Sequence, residues 1–307
     1  MKIAVMGAGG VGGYLGGRLA EAGEDVSFIA RGAHLDAIKR NGLRIMSPLG
    51  DALINPVKAT SDPAEIGPVD VILFCVKLYD LEEAAEQCRL LIKDGTAIIS
   101  LLNGVDSESR LKAIVGDDHV IGGLTYIFSS ISAPGVIRHL GEATSVSFGE
   151  DNGGESSRLM AFLNNCISAG IDAHITNDIQ SEIWMKFMAW ATFGGLASLT
   201  RQSLGAFQQD PDLNALYRET LAEIASVAEA KGIRLPADAV ESRMALVSAN
   251  PSEAKPSTLV DLEHGRRLEL EGQAGAVVRM GREMGIDTPV NRVIYAALKP
   301  FINGASK

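Results

Sequence analysis

The chain has 307 residues, 46% of them hydrophobic, which is enough for a sizeable core and suggests two domains of about 100–200 residues each. Its formal net charge of −10 argues against nucleic acid and against an anionic membrane surface as main partners. Cys75, Cys88 and Cys166 are far apart without a C-x-x-C pair, and the five histidines show no metal-ligand spacing, so neither a disulfide framework nor a metal site is expected and a reducing, cytoplasmic setting is.

The chain opens MKIAVMGAGGVGGYLGG: a short apolar strand over 2–7, then glycines, then a helix over 10–22 with Gly23 as its stop. The apolar run ends at Gly7, and Arg18 and Glu21 follow, which is too broken for the core of a secretory leader. Gly7, Gly9 and Gly12 fit G-x-G-x-x-G between a strand and a helix. In that pattern the first glycine makes a tight turn, the second lets backbone approach a pyrophosphate, and the third lets helix and strand pack closely. The helix N-terminus then offers N–H groups and a partial positive charge to phosphates. A dinucleotide is therefore expected on the loop Gly7, Ala8, Gly9, Gly10, Val11 and Gly12, while the glycines outside the motif, Gly10, Gly13, Gly16 and Gly17, read as close packing.

A second strand spans 25–30. Its end reads Ala30-Arg31, where an NAD-binding chain would carry an acidic residue for the ribose 2′-hydroxyl. Arginine suits a 2′-phosphate, so NADP(H) is favoured, the alternative being an Arg31 that faces solvent. Residues 42–59 read as two strands about a turn at Leu49-Gly50-Asp51, and 69–77 as a nearly continuous apolar strand of a sheet covered on both faces. A helix over 80–92 and a strand over 96–104 follow, and 119–149 is strand-rich with a break at Pro134-Gly135. Strands alternating with helices imply parallel βαβ units.

From about 178 the pattern turns helical, with stretches at 178–200, 211–231, 236–249 and 256–285. The segment IWMKFMAWATFGGLASL (183–199) is shorter than the ~20 residues of a membrane span and contains Lys186; it reads as a helix buried on most faces. The expected division, within 171–178, is an α/β domain over 1–176 with a doubly wound, mostly parallel sheet, and an all-α domain over 177–307.

Lys77 and Asn103 end predicted strands, at the carboxyl edge where such sheets bind ligands. Lys186 interrupts an otherwise apolar helix. A buried ammonium is costly without a partner or a task, and desolvation would lower its pKa into the range of a general acid; the other reading is a lysine whose head escapes to water. In STLVDLEHGRRLELEG (257–272), Ser257 can cap a helix and Glu269 could meet Lys186, although a solvated charged face is the default reading for most of that segment.

Together, GAGGVG, Arg31, Lys77 in CVK, Asn103 in LLNG, Lys186 in IWMKF, LTRQSLG at 199–205 and the Ser257–Glu269 segment resemble the ketopantoate reductases (2-dehydropantoate 2-reductases) over essentially the whole chain. The resemblance implies a Rossmann domain joined to a helical domain. It also implies NADPH-dependent reduction of a 2-keto acid to a 2-hydroxy acid in pantothenate biosynthesis. Residue by residue, it makes Lys186 the catalytic acid, Glu269 the carboxylate for the substrate's hydroxyl end, and Ser257 a substrate contact. Asn103 falls where nicotinamide and substrate meet, and Lys77 and Arg31 on the cofactor side. The family's asparagines four and eight residues after the lysine are replaced here by Trp190 and Gly194, so two polar groups that would contact the substrate are missing. A bulkier 2-keto acid is the alternative substrate, and an NADP(H)-sensing module without turnover the alternative function. The expected partners are a small 2-keto acid and, as an open option, a second copy of the chain.

Overall fold

Strand and helix alternate from the first residues of the computed structural model, which describes residues 1–154 and 156–304. The order is β1 (Lys2–Met6), α1 (Gly10–Glu21), β2 (Asp25–Ile29), α2 (Gly32–Asn41), β3 (Leu43–Met46), β4 (Ala52–Ile54), β5 (Lys58–Thr60), β6 (Val71–Phe74), α3 (Leu81–Cys88), β7 (Ala97–Ser100), α4 (Ser107–Val115), β8 (Val120–Ala133), β9 (Val136–Gly149), α5 (Ser157–Ser168) and β10 (Ala173–Ile175). After these come only helices among the described residues: α6 (Ile179–Thr200), α7 (Leu204–Gln209), α8 (Pro211–Ala230), α9 (Ala239–Ala249), α10 (Ser257–Glu263), α11 (Ala274–Met284) and α12 (Pro289–Leu298). The chain divides into two units, Met1–Leu102 with Ser107–Ile179, and Asn103–Asp106 with Gln180–Lys307.

The first unit is built on one sheet in the order β4-β3-β9-β8-β7-β6-β1-β2-β5, with β10 beside β9. Its pairings are parallel except β3 with β4 and β8 with β9. This is the mostly parallel, doubly wound sheet that the alternating pattern predicts. Ile3, Phe28, Leu73, Ile99, Ile121 and Phe148 are buried in its core, each contributing about 1.5–3 kcal/mol by leaving water. The continuous apolar run of β6 is buried at all four positions, as a strand covered on both faces must be. The predicted turn about Gly50 joins β3 to β4, and Gly135, at φ +78°, makes the tight turn between β8 and β9.

In the second unit α6 is apolar all round: Trp184, Met188, Leu196 and Ala197 have no exposed surface. Asp210 caps α8 by accepting hydrogen bonds from the Asp212 and Leu213 N–H groups, with Pro211 in the first turn where its missing N–H costs nothing. One expectation changes. The single helical stretch over 256–285 is two helices, α10 and α11. Gly265 takes a left-handed φ of +62°, the Arg266 N–H turns back to the Asp261 carbonyl, and the Leu268 N–H is drawn off to Ile302. Ser257 is accordingly the first residue of α10 rather than its cap, a place held by Pro256, and Glu269 stands on the loop before α11. No helix of the described residues is long and apolar enough to cross a membrane.

Candidate active site

The glycine loop links β1 to α1. Gly7 has φ +99°, and a Cβ there would stand 3.0 Å from the Cys75 and Val76 backbone. The Gly7 and Ala8 N–H groups both donate to the Ile29 carbonyl, at 3.2 and 3.0 Å, which ties the loop to the end of β2. A Cβ on Gly10 would lie 2.2 Å from the Ser129 carbonyl oxygen, and one on Gly12 2.3 Å from the Gly7 oxygen. Packing within the protein therefore demands glycine at these three positions. Gly9 differs: it has an ordinary φ of −77° and no atom within 4 Å of a would-be Cβ. Nothing in the protein requires a glycine there, so its missing side chain leaves space for a ligand. Gly10, Val11 and Gly12 begin α1, whose first turn carries no acidic side chain to compete for an anion. A dinucleotide's pyrophosphate fits this cradle.

Arg31 follows β2 by two residues and occupies the N-cap position of α2. Its Nη1 lies 3.9 Å from Glu83 Oε1, both side chains being more than half exposed; such a pair contributes little and does not commit the guanidinium. Lys77 is exposed, three residues beyond β6, at the head of a short 3₁₀ turn. β1, β2 and β6 are parallel neighbours, so the glycine loop, Arg31 and Lys77 all lie past the carboxyl ends of adjoining strands.

In the second unit, half-buried Lys186 projects from α6, and its Nζ donates to Asn103 Oδ1 at 2.8 Å. Burial pushes the Lys186 pKa down to about 8, while the negative charge of Glu269 works in the opposite direction. The lowering by desolvation expected from the sequence is the larger of the two effects. Lys186, Asn103 and half-buried Glu269 form one group assembled from three separate segments. Ser257 is exposed, and among the described residues no described hydrogen bond joins it to these three.

The replaced asparagines have a structural counterpart. A Cβ on Gly194 would meet Thr258 Oγ1 at 2.9 Å and Gln273 Nε2 at 3.0 Å, so these side chains already fill the space beside the helix. Gln273 Nε2 donates to Thr258 Oγ1 at 2.8 Å, with both residues buried. That bond ties the start of α10, which carries Ser257, to the start of α11, four residues after Glu269. Trp190 is half-buried, its ring 6.1 Å from that of Phe187. Sequence reading did not single out Thr258 or Gln273. The available signal was a glycine inside an apolar helix, which marks a close approach by some other group. Among the described residues, no group of three or more His, Cys, Asp or Glu is placed to hold a metal ion.

Comparison with known proteins matches residues 3–153 to the family model "Ketopantoate reductase PanE/ApbA" and 178–301 to "Ketopantoate reductase PanE/ApbA C terminal". The 2-dehydropantoate 2-reductase of Mesorhizobium japonicum is 34% identical over 97% of each chain. A PanE/ApbA family ketopantoate reductase of Ralstonia eutropha, solved by crystallography, superposes with a TM-score of 0.90 at 30% identity over 98% of each chain. A D-mandelate dehydrogenase solved with NADH and anilino(oxo)acetate shares the fold at 24% identity, with a TM-score of 0.88 over 98% of each chain.

Proposed function

This chain belongs to the ketopantoate reductase family, nicotinamide-dependent oxidoreductases acting on a CH–OH group, and on that premise we propose that it reduces a 2-keto acid to the 2-hydroxy acid with NADPH, 2-dehydropantoate being the best single substrate. The observation that carries this reading is the Lys186 ammonium, held by Asn103 in an apolar helix with its pKa brought down to about 8.

When bound, the cofactor supplies the hydride. The protein's task is to hold the two reactants and deliver a proton to the carbonyl oxygen as negative charge develops there. Lys186 suits that role: an ammonium with a pKa near 8 is still mostly charged at neutral pH, yet gives up its proton far more readily than one in water. Asn103 accepts one N–H and so fixes the direction of the amine, while Glu269 helps to keep it protonated. In this reading Glu269 binds the substrate's hydroxyl end and Ser257 is a further substrate contact. The Gly7–Gly12 loop takes the pyrophosphate, Arg31 the 2′-phosphate, and Lys77 and Asn103 the remaining cofactor contacts. The reading places the enzyme in pantothenate biosynthesis in the cytoplasm, where three free cysteines are at home.

Trp190 favours a second reading, a bulkier or less polar 2-keto acid, because an indole stands where an amide would; beside Gly194 the Thr258 hydroxyl and the Gln273 amide fill the space. Steady-state assays with NADPH and a panel of 2-keto acids, aliphatic and aromatic, decide between the two. The highest kcat/KM is expected for 2-dehydropantoate; an aromatic 2-keto acid in first place would select the second reading. NADPH oxidation with none of them would overturn both.

A further inference from the structure

His34 lies in the first turn of α2, three residues beyond Arg31, and its half-buried ring touches two distant backbone segments. Nε2 is 2.9 Å from the Ala8 carbonyl oxygen, and Nδ1 is 3.0 Å from the Gly135 nitrogen. These partners settle the tautomer. A backbone N–H can only donate, so Nδ1 accepts; a carbonyl can only accept, so Nε2 carries the hydrogen. The ring is neutral, in keeping with burial, which lowers its pKa against the pull of the Ala8 bond.

The Ala8 carbonyl belongs to the peptide that joins Ala8 to Gly9. That peptide is trans, so its C=O and N–H point in opposite directions. Holding the carbonyl toward His34 turns the Gly9 N–H away from it. No described hydrogen bond uses that N–H, and Gly9 is the one loop glycine whose Cβ side is open. The Ala8 N–H is held at Ile29, so His34 supplies the second tether on a residue flanked by glycines, where a peptide could otherwise rotate at little cost. At its other edge the ring is braced by the β8–β9 turn, where Gly135 packs close to α2: a Cβ there would lie 3.1 Å from that of Ala37.

We propose that His34 is a cofactor-positioning residue: by bridging the Ala8 carbonyl and the Gly135 N–H, it locks the Ala8–Gly9 peptide with its N–H presented to the pyrophosphate of NADPH. It couples the phosphate loop to the helix that carries Arg31 and to the β8–β9 turn. The proposal rests on the NADPH reading above and adds a residue outside the glycine motif to the affinity for that cofactor.

The test is NADPH affinity, measured by fluorescence titration, alongside the melting temperature without cofactor and the kinetics with the best 2-keto acid. His34→Leu removes both hydrogen bonds and is expected to weaken NADPH binding by about 10-fold or more. The KM for NADPH should rise in step, with kcat at saturating cofactor changed little. His34→Gln, whose amide can donate to Ala8 and accept from Gly135, should recover most of the affinity. Where His34→Leu does not fold, His34→Asn carries the test: it keeps an acceptor near Gly135, falls short of Ala8, and should bind weakly. Unchanged affinity in a folded Leu or Asn variant overturns the proposal. So does a folded Gln variant that binds as weakly as Leu or Asn, because hydrogen bonding would not then be the cause. If the unaltered protein binds no NADPH, the functional reading falls and this proposal with it; NADPH binding that ignores all three variants removes this proposal alone.

Discussion

In the glycine loop the protein meets its proposed ligand with backbone, across six consecutive residues. In the lysine group it does so with side chains, from residues 103, 186 and 269. The first arrangement is nearly complete within one strand–turn–helix, because tight turns and helix N-termini are local properties of a chain. The second depends on burial, and only packing can remove an ammonium from water. The two regions should therefore fail differently. Changes in the loop should act on cofactor affinity or on folding, and changes at the lysine on turnover and its pH dependence.

The largest effect should come from Lys186→Ala. Loss of a general acid costs roughly 10²–10⁴-fold in kcat, with NADPH affinity nearly unchanged. In the unaltered enzyme, kcat/KM for the 2-keto acid should be level below pH 8 and fall as pH rises through about 8, because the proton being donated is lost from the free enzyme there. A folded Lys186→Ala protein with near-normal turnover, or a profile flat through that range with chemistry rate-limiting, would erase the contrast between the regions.

Within the loop, Gly9→Val and Gly12→Ala should separate binding from folding. A Cβ at Gly9 would meet no protein atom within 4 Å, so Gly9→Val should melt close to the unaltered protein while losing about 100-fold in NADPH affinity. At Gly12 a Cβ would sit 2.3 Å from the Gly7 oxygen, so Gly12→Ala should cost about 1–3 kcal/mol of stability by chemical denaturation. Equal effects of the two substitutions on both measurements would break the division drawn here.

Arg31→Ala should remove most of the preference for NADPH over NADH, about 10- to 150-fold for a charge-assisted contact, leaving NADH affinity almost unchanged. Equal binding of the two cofactors by the unaltered protein would remove Arg31 as the 2′-phosphate reader.

The smallest expected effect is a gain in stability. Lys186 titrates near 8 in the folded protein against an ordinary 10.5, so the unfolded chain binds the proton more tightly. The ammonium therefore subtracts stability at every pH below about 8, and the penalty fades as pH rises towards 10.5. Lys186→Met should stabilise the protein by about 1–3 kcal/mol at pH 7, less the lost Asn103 bond, with the gain shrinking between pH 8 and 10. A loss of stability at pH 7 would mean that Lys186 is a structural lysine.

The sequence by itself determined the parallel sheet, the helical second half and the strand–glycine–helix cradle, since hydrophobic period and glycine placement are written residue by residue. It also marked Lys186 as anomalous, one charge in an apolar helix, but it left open whether the ammonium reached water. Only the tertiary structure supplied its partner, a half-buried bond to a residue 83 positions away. The same holds for Thr258 and Gln273 filling the space beside Gly194, and for His34 bridging Ala8 and Gly135. Each partner is set by how distant segments pack, and no period along the chain encodes that distance. Where local pattern misled, over 256–285, the cause was again non-local: Gly265 released the helix, and Ile302, 34 residues beyond Leu268, took the hydrogen bond that would have continued it.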